Sequence, residues 1–569
     1  MRSLRSRPRA LGRRVAGPLL TLALLAGCTS RGNPPSFGET AAAASSASPS
    51  TPATTRGVSA PVEPPPGPAV AGGAITASLI PLPVLASTDE SASFTLTAAT
   101  TIVAVPSADA RVVADDLAAL LRPATGFPLR VVTRSDAAAP DDSIVLRLDA
   151  GDPTLGNEGY DLTISHASVD ISANAAAGLF YGVQTLRQLL PASIEVKHLV
   201  PGPWRVVGGR IVDYPRFTYR GAMLDVTRHF FPVADVERYI DELALDKVNV
   251  LHLHLSDDQG WRLAVDGWPN LAAHGGASEV GSRTGGGYYT KADYTAIVRY
   301  AQARFITVVP EIDTPGHTNA ALSSYPELNC NGIAPPLYIG EQVGFSSLCV
   351  GKAVTYKFLD DVVSELAALT PGPYIHLGGD EAHSTPASDY VTYVQKAAQI
   401  VAAHGKQLMG WAEISAAKLS PGSVAEYWNF NDRGVSEQAA VAQGVKVVAA
   451  PANHAYLDQK YNNLTTLGLN WAGYNSVENA YAWDPLDGGR VSEGNLLGVE
   501  APLWSETLRT LADIQYMAWP RMAGIAEIGW TPQSERSWAT YAPRLAAQAP
   551  RWTEMGVNFY RSPQVAWVS

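Results

Sequence analysis

From about residue 217 the chain repeats one pattern, a short apolar run followed by a longer amphipathic stretch. Runs of strand length fall at 221–226, 248–255, 306–310, 374–377, 407–411, 424–428, 446–450 and 497–504. Between them the spacing turns helical. Val236, Tyr239, Ile240 and Leu243 share one face at i, i+3, i+4 and i+7, and Tyr294, Ile297, Val298 and Ala301 repeat it, with Thr290 placed as an N-cap. Eight strands alternating with helices predict an α/β fold, a (β/α)8 barrel whose active site lies at the C-terminal strand ends. An open doubly wound sheet has the same rhythm, but no Gly-rich phosphate fingerprint follows any of these strands.

Residues 78–215 read differently. Segments 93–106, 129–133 and 143–149 are β-branched and alternating, while 110–121 and 175–190 are helical, the first with Asp109 as a candidate N-cap. This predicts a smaller α+β domain with nothing catalytic in it. The resulting scheme is a signal over 1–27, a linker over 28–77, the α+β domain over 78–215 and the barrel over 216–569.

The N-terminus reads as an export signal. Six arginines precede the apolar run Val15 to Leu25, which is shorter than the ~20 residues that span a bilayer. Leu25-Ala26-Gly27-Cys28 resembles a bacterial lipoprotein box, in which Cys28 becomes the lipidated first residue; a plain signal peptide with an incidental Cys is the alternative. Residues 29–77 are rich in Ser, Ala, Thr, Pro and Gly, too poor in large apolar side chains to fold, and predict a flexible tether. The protein is thus expected at the outer face of a bacterial membrane or secreted, meeting the membrane only through a lipid.

Composition narrows the class. At 46% hydrophobic residues the chain is globular, and its net charge is −11 although the first 27 residues hold six Arg and no acid. An acidic mature protein is a poor match for nucleic acid, which calls for a positive surface. Cys330 and Cys349, the two other cysteines, enclose a Gly- and Pro-rich segment. A disulfide there would stabilise by roughly 3 kcal/mol; a metal site is the alternative, but no His lies near either Cys in sequence.

The polar residues gather at the strand ends. The second run alternates Leu251, Leu253 and Leu255 with His252 and His254, then opens into Asp257 and Asp258; the third ends at Glu311, Asp313 and His317; the fourth ends Gly378-Gly379-Asp380-Glu381. Later runs end in Trp411 with Glu413, Trp428, and Trp504 with Glu506. Aromatic faces cover the C–H face of a pyranose while acids bind its hydroxyls, so this pattern points to a sugar site. Two carboxylates that flank a glycosidic bond stand ~5–9 Å apart on opposite sides, which neighbours such as Asp380 and Glu381 cannot easily do. One can protonate the leaving oxygen while the other orients a nucleophile supplied by the substrate, such as a 2-acetamido carbonyl.

The stretches His252 to Asp258, Pro310 to His317, His376 to Glu381 and Tyr219 to Phe230 resemble the signatures of family 20 β-N-acetylhexosaminidases. The resemblance runs from about residue 78 to the C-terminus and implies retaining, exo-acting release of terminal β-linked N-acetylglucosamine, and of N-acetylgalactosamine in some members, through an oxazolinium ion and without a metal or organic cofactor. It casts Glu381 as general acid and then base, Asp380 as acceptor of the acetamido N–H, and Tyr456 as the hydroxyl on the acetamido oxygen. Trp411, Trp428 and Trp504 would wall the acetamido pocket; Arg228, Asp458 and Glu506 would hold the O3, O4 and O6 hydroxyls; Trp471 would carry the leaving sugar. Asp257, Asp313 and His317 would position the acid and base. The partners so implied are N-acetylhexosamine-containing oligosaccharides or glycoconjugates, with chitin fragments, wall material and host glycans not distinguished. Two other readings stand beside this one. His252 and His254 with Asp380 suit a zinc site of the amidohydrolase type, and a stalked barrel lacking its acid would be a sugar-capture protein.

Overall fold

The computed structural model describes residues 75–134, 140–149, 151–487 and 489–568. The signal, Cys28 and nearly all of the linker lie outside the described residues.

The first domain is a seven-stranded mixed sheet of β1 (Leu85–Leu96), β2 (Thr101–Ala104), β3 (Val131–Thr133), β4 (Ser143–Leu148), β5 (Tyr160–Ile164), β6 (Ser168–Ala173) and β7 (Trp204–Asp213), ordered β1-β7-β5-β6-β4-β2-β3. Helices Ala108–Thr125 and Ala176–Leu189 pack on it through Leu117, Leu121, Leu179 and Leu186, all buried. Three details depart from the sequence reading. The run 93–106 is two strands, because Thr97 and Thr100 turn the chain and tie it to Asp142. The first helix is capped by Ser107, whose hydroxyl accepts from Ala110, and Asp109 falls inside its first turn. Strands β5, β6 and β7 have no counterpart among the segments read from the sequence.

The second domain is a closed barrel of eight parallel strands: β8 (Tyr219–Asp225), β9 (Val250–His254), β10 (Thr307–Glu311), β11 (Tyr374–His376), β12 (Gln407–Trp411), β13 (Val424–Tyr427), β14 (Lys446–Ala449) and β15 (Leu496–Leu503). Pairing of β15 with β8 and of β8 with β9 closes the ring and rules out the open sheet. Every residue of β8 and β9 is buried, as expected of strands covered by helices outside and side chains inside. Thr290 caps helix Lys291–Gln302 in a full capping box with Asp293. Cys330 and Cys349 are joined in a disulfide.

The two domains meet over buried charge. Lys247 donates to Asp213 and to the Tyr160 hydroxyl, each at 2.9 Å, and Trp530 donates to the other Asp213 oxygen at 2.8 Å. Arg220, at the start of β8, reaches out of the barrel to Glu158 at 2.7 Å. Burial pushes the Lys247 ammonium down, and Asp213 opposes that shift. Replacing Asp213 by Ala would strand a buried cation, at a cost of about 3–5 kcal/mol. The double replacement Asp213→Leu with Lys247→Met should recover most of that loss, which urea unfolding midpoints of the single and double variants will measure.

Candidate active site

The chain turn after β11 sets the site. Gly378 and Gly379 adopt φ of 64° and 102°, and Glu381 itself sits at φ 44°. A Cβ on Gly378 would lie 1.7 Å from an Asp313 carboxylate oxygen, so only glycine fits there. Asp313 in turn accepts the Gly379 N–H at 3.2 Å. This tight left-handed path turns two successive carboxylates into one cavity. Strain of this kind in a non-glycine residue such as Glu381 is a mark of functional sites.

That cavity, about 440 Å³, is lined by Arg228, His317, Asp380, Glu381, Trp428, Tyr456, Asp458, Trp471, Trp504 and Glu506, together with Glu341, Val343, Asn429, Asn431 and Leu469. Arg228, Asp458 and Trp504 are buried at its base, while Trp471 and Val343 stand exposed at its mouth. The aromatic wall is continuous. Tyr456 stacks on Trp428 with centroids 6.5 Å apart, and Trp471 meets Tyr456 edge-on at 5.8 Å. Trp411 lies one layer below, 5.8 Å from Trp504, and donates to Glu311 at 3.0 Å. Trp428 is held by Glu413, which accepts its indole N–H at 3.1 Å.

Beneath the cavity runs a chain of ion pairs. Arg228 contacts Asp257 at 2.7 Å and Asp225 at 3.4 Å, and its guanidinium lies 4.7 Å over the Trp504 ring. His254 bridges Glu311 and Asp257, the latter at 2.8 Å. Asp257 also accepts from His317 at 3.2 Å, and the far nitrogen of His317 stands 3.6 Å from Asp380 and 3.5 Å from Glu381. Of the two acids Asp380 is deeper, its side chain 11% exposed against 28% for Glu381.

The charges follow from these contacts. Burial opposes ionising Asp257, but Arg228, His317 and His254 outweigh it and hold the carboxylate well below its usual range. Burial, with repulsion from Glu381 and Glu311, pushes Asp380 up to about 6 against the pull of His317. Burial and the neighbouring Asp380 drive the Asp313 carboxyl well above the ordinary range. At the base, burial raises Asp458 to about 7 and Glu506 to about 8, the latter against Arg228. One oxygen of each has no hydrogen-bond partner among the described residues, leaving both available to a ligand hydroxyl.

The structure brings Glu381, Asp380, Tyr456, Arg228, Trp428, Asp458, Trp471, Trp504, Glu506 and His317 to one cavity, with Asp257, Asp313 and Trp411 behind it. It does not assemble the zinc triad. Both nitrogens of His252 face carboxylates, Glu500 at 2.8 Å and Glu311 at 3.1 Å, as do those of His254, while Asp380 lies by His317. Carboxylate contacts of this kind raise both imidazoles, His254 to about 9 despite burial. Sequence reasoning missed Glu341 and Val343, which come from the disulfide-closed loop, and it noticed Glu413 without the bond to Trp428.

Comparison with known proteins adds to this geometry. The family model described as Glycosyl hydrolase family 20, catalytic domain, matches residues 217–533, and that for Glycosyl hydrolase family 20, domain 2, matches residues 76–214. A β-N-acetylhexosaminidase of Cellulomonas fimi is 43% identical over 494 residues, covering 86% of this chain and 97% of the relative. Among solved structures, the β-N-acetylhexosaminidase of Streptomyces coelicolor A3(2) is 52% identical with a TM-score of 0.83, covering 87% of this chain and 99% of that one. A mutant Streptomyces plicatus β-hexosaminidase in complex with product (GlcNAc) matches with the same identity and TM-score, covering 90% and 99%.

The electrostatics make a direct prediction. His317 favours the ionised form of Asp380, so His317→Asn should move the Asp380 carboxyl midpoint upward from about 6. Carboxyl NMR of aspartate-labelled protein, with Asp380→Asn for assignment, will read the shift; an unchanged or lower midpoint would contradict the arrangement.

Proposed function

The chain belongs to glycosyl hydrolase family 20, and from that premise we propose how the residues of its cavity divide the work of removing one terminal N-acetylhexosamine from a β-linked glycan. It is a retaining exo-β-N-acetylhexosaminidase whose nucleophile is the 2-acetamido oxygen of the substrate. The terminal sugar sits with O3, O4 and O6 toward Arg228, Asp458 and Glu506 and its acetamido group against Trp428, Trp504 and Tyr456. Asp380, ionised above about pH 6, accepts the acetamido N–H and so drives electron density onto the carbonyl oxygen. That oxygen bonds to C1 as the C1–O bond breaks, and Glu381 gives its proton to the departing oxygen. Glu381 then takes a proton from water, which opens the oxazolinium ion with the original β-configuration restored.

The observation that carries this reading is the left-handed turn that places Asp380 and Glu381 side by side in an aromatic cavity closed at its base by Arg228, Asp458 and Glu506. Neighbouring acids on one side of a bond suit assistance by the substrate, and a closed base admits a chain end. Glu381 lines the cavity and is partly exposed, which favours catalysis over mere sugar capture. Lipidation at Cys28 would hold the enzyme at the extracellular face of the cell membrane, with chitin fragments among the substrates it would meet there. The disulfide between Cys330 and Cys349 suits such an oxidising location.

Two measurements test these assignments. On paired aryl β-glycosides, only the substrate with a 2-acetamido group should be cleaved, with or without EDTA; Glu381→Gln should lower kcat by about 10²–10⁴-fold on poor leaving groups and far less on good ones. Equal cleavage of the 2-hydroxy substrate would defeat substrate assistance. Cells expressing the full chain should carry a labelled fatty acid on it, and Cys28→Ser should abolish the label and release the protein; a label that persists would remove the anchor.

A further inference from the structure

Beside the catalytic cavity lies a second and larger one, about 730 Å³, within the ~300–1,000 Å³ range of small-molecule sites. The loop closed by Cys330 and Cys349 forms the partition between them. Its residues Glu341 and Val343 line the catalytic cavity, whereas Tyr338 and Phe345 line the second. The partition is thin at Gly344, φ +78°, where a Cβ would stand 2.3 Å from His383 and 3.2 Å from the Glu381 carbonyl oxygen. Three residues after Glu381, Ser384 donates to the Gly344 carbonyl at 2.9 Å and itself lines the second cavity. The second cavity therefore adjoins the stretch of backbone that carries Glu381.

Its walls suit a carbohydrate. Tyr338 and Phe345 form an aromatic pair with centroids 4.6 Å apart, and the Phe345 side is open, at 43% exposure. The Tyr338 hydroxyl accepts the Gln342 N–H at 2.8 Å, which fixes the ring. Asn329, Arg283, Ser384 and Asp389 supply donors and acceptors around it. The loop is held in place before any ligand arrives. Ser346 accepts the Thr318 N–H at 2.9 Å, Ser347 bonds Thr385 at 2.6 Å, and Leu348 donates to Pro315 at 2.9 Å.

We propose that this cavity is a second carbohydrate subsite, holding the reducing-side residues of a β-linked N-acetylglucosamine oligomer whose terminal residue occupies the catalytic cavity. The proposal rests on the hexosaminidase reading. A chain end enters beneath Trp471, the leaving part crosses the rim at Val343 and Glu341, and its next residues settle against Phe345 and Tyr338. Short substrates do not reach the subsite, so its binding energy is available only to longer chains.

The test is kcat/KM along a series from the β-1,4-linked N-acetylglucosamine dimer to the hexamer, with the wild-type enzyme and with Phe345→Ala and Asp389→Ala, two residues that line the cavity. The wild-type value should rise about fivefold or more between dimer and tetramer, the size of one aromatic contact, and Phe345→Ala should flatten that ratio. A flat wild-type series, or a tetramer-to-dimer ratio unmoved by both variants, would overturn the subsite. Failure to cleave even the dimer would instead overturn the catalytic reading on which it rests.

Discussion

Four side chains from three neighbouring strands converge on one buried carboxylate. Glu311, at the end of β10, contacts His252 at 3.1 Å and His254 from β9, His376 at 2.8 Å from β11 and Trp411 at 3.0 Å from β12. An isolated anion at that depth would be prohibitively unstable, so partners must be present, and their presence fixes the side chains at these strand ends. The consequence propagates upward. His254, tied to Glu311, holds Asp257; Asp257 holds Arg228 and His317; His317 faces the paired acids of the cavity. The charge state of Asp380 is thus linked, through His317, Asp257 and His254, to an ion cluster in the barrel interior.

How much of this the sequence discloses depends on how local the controlling physics is. The barrel strands announce themselves because both faces are covered, so their apolar runs are uninterrupted, and because acids and aromatics cluster where each run stops. Pairs such as Glu311 with His252 and His254 join segments more than fifty residues apart and are invisible to periodicity, although the residues stand out at their strand ends. The first domain is harder to read. Its strands β5 to β7 are half-covered, and Thr97, Thr100 and Asp142 end β1 through side-chain bonds that no pattern of hydrophobicity encodes.

The loop residues of the site mark the limit of local reading. Tyr456 and Asp458 lie outside any strand or helix, and only resemblance to a family picks them out. Glu341 and Val343 had no such signal. They reach the cavity because a disulfide closes their loop and Ser346 and Ser347 fasten it to Thr318 and Thr385. Each link is specific in three dimensions and unremarkable as a string of letters.

The cavity has a buried base and an exposed mouth, and that shape governs traffic as well as recognition. In the binding mode proposed above, Arg228, Asp458 and Glu506 close the way below the sugar, so the departing chain goes first. Whatever attacks next arrives through the space just vacated and meets the same face of the ring. Water and any carbohydrate waiting at the rim therefore compete for one position.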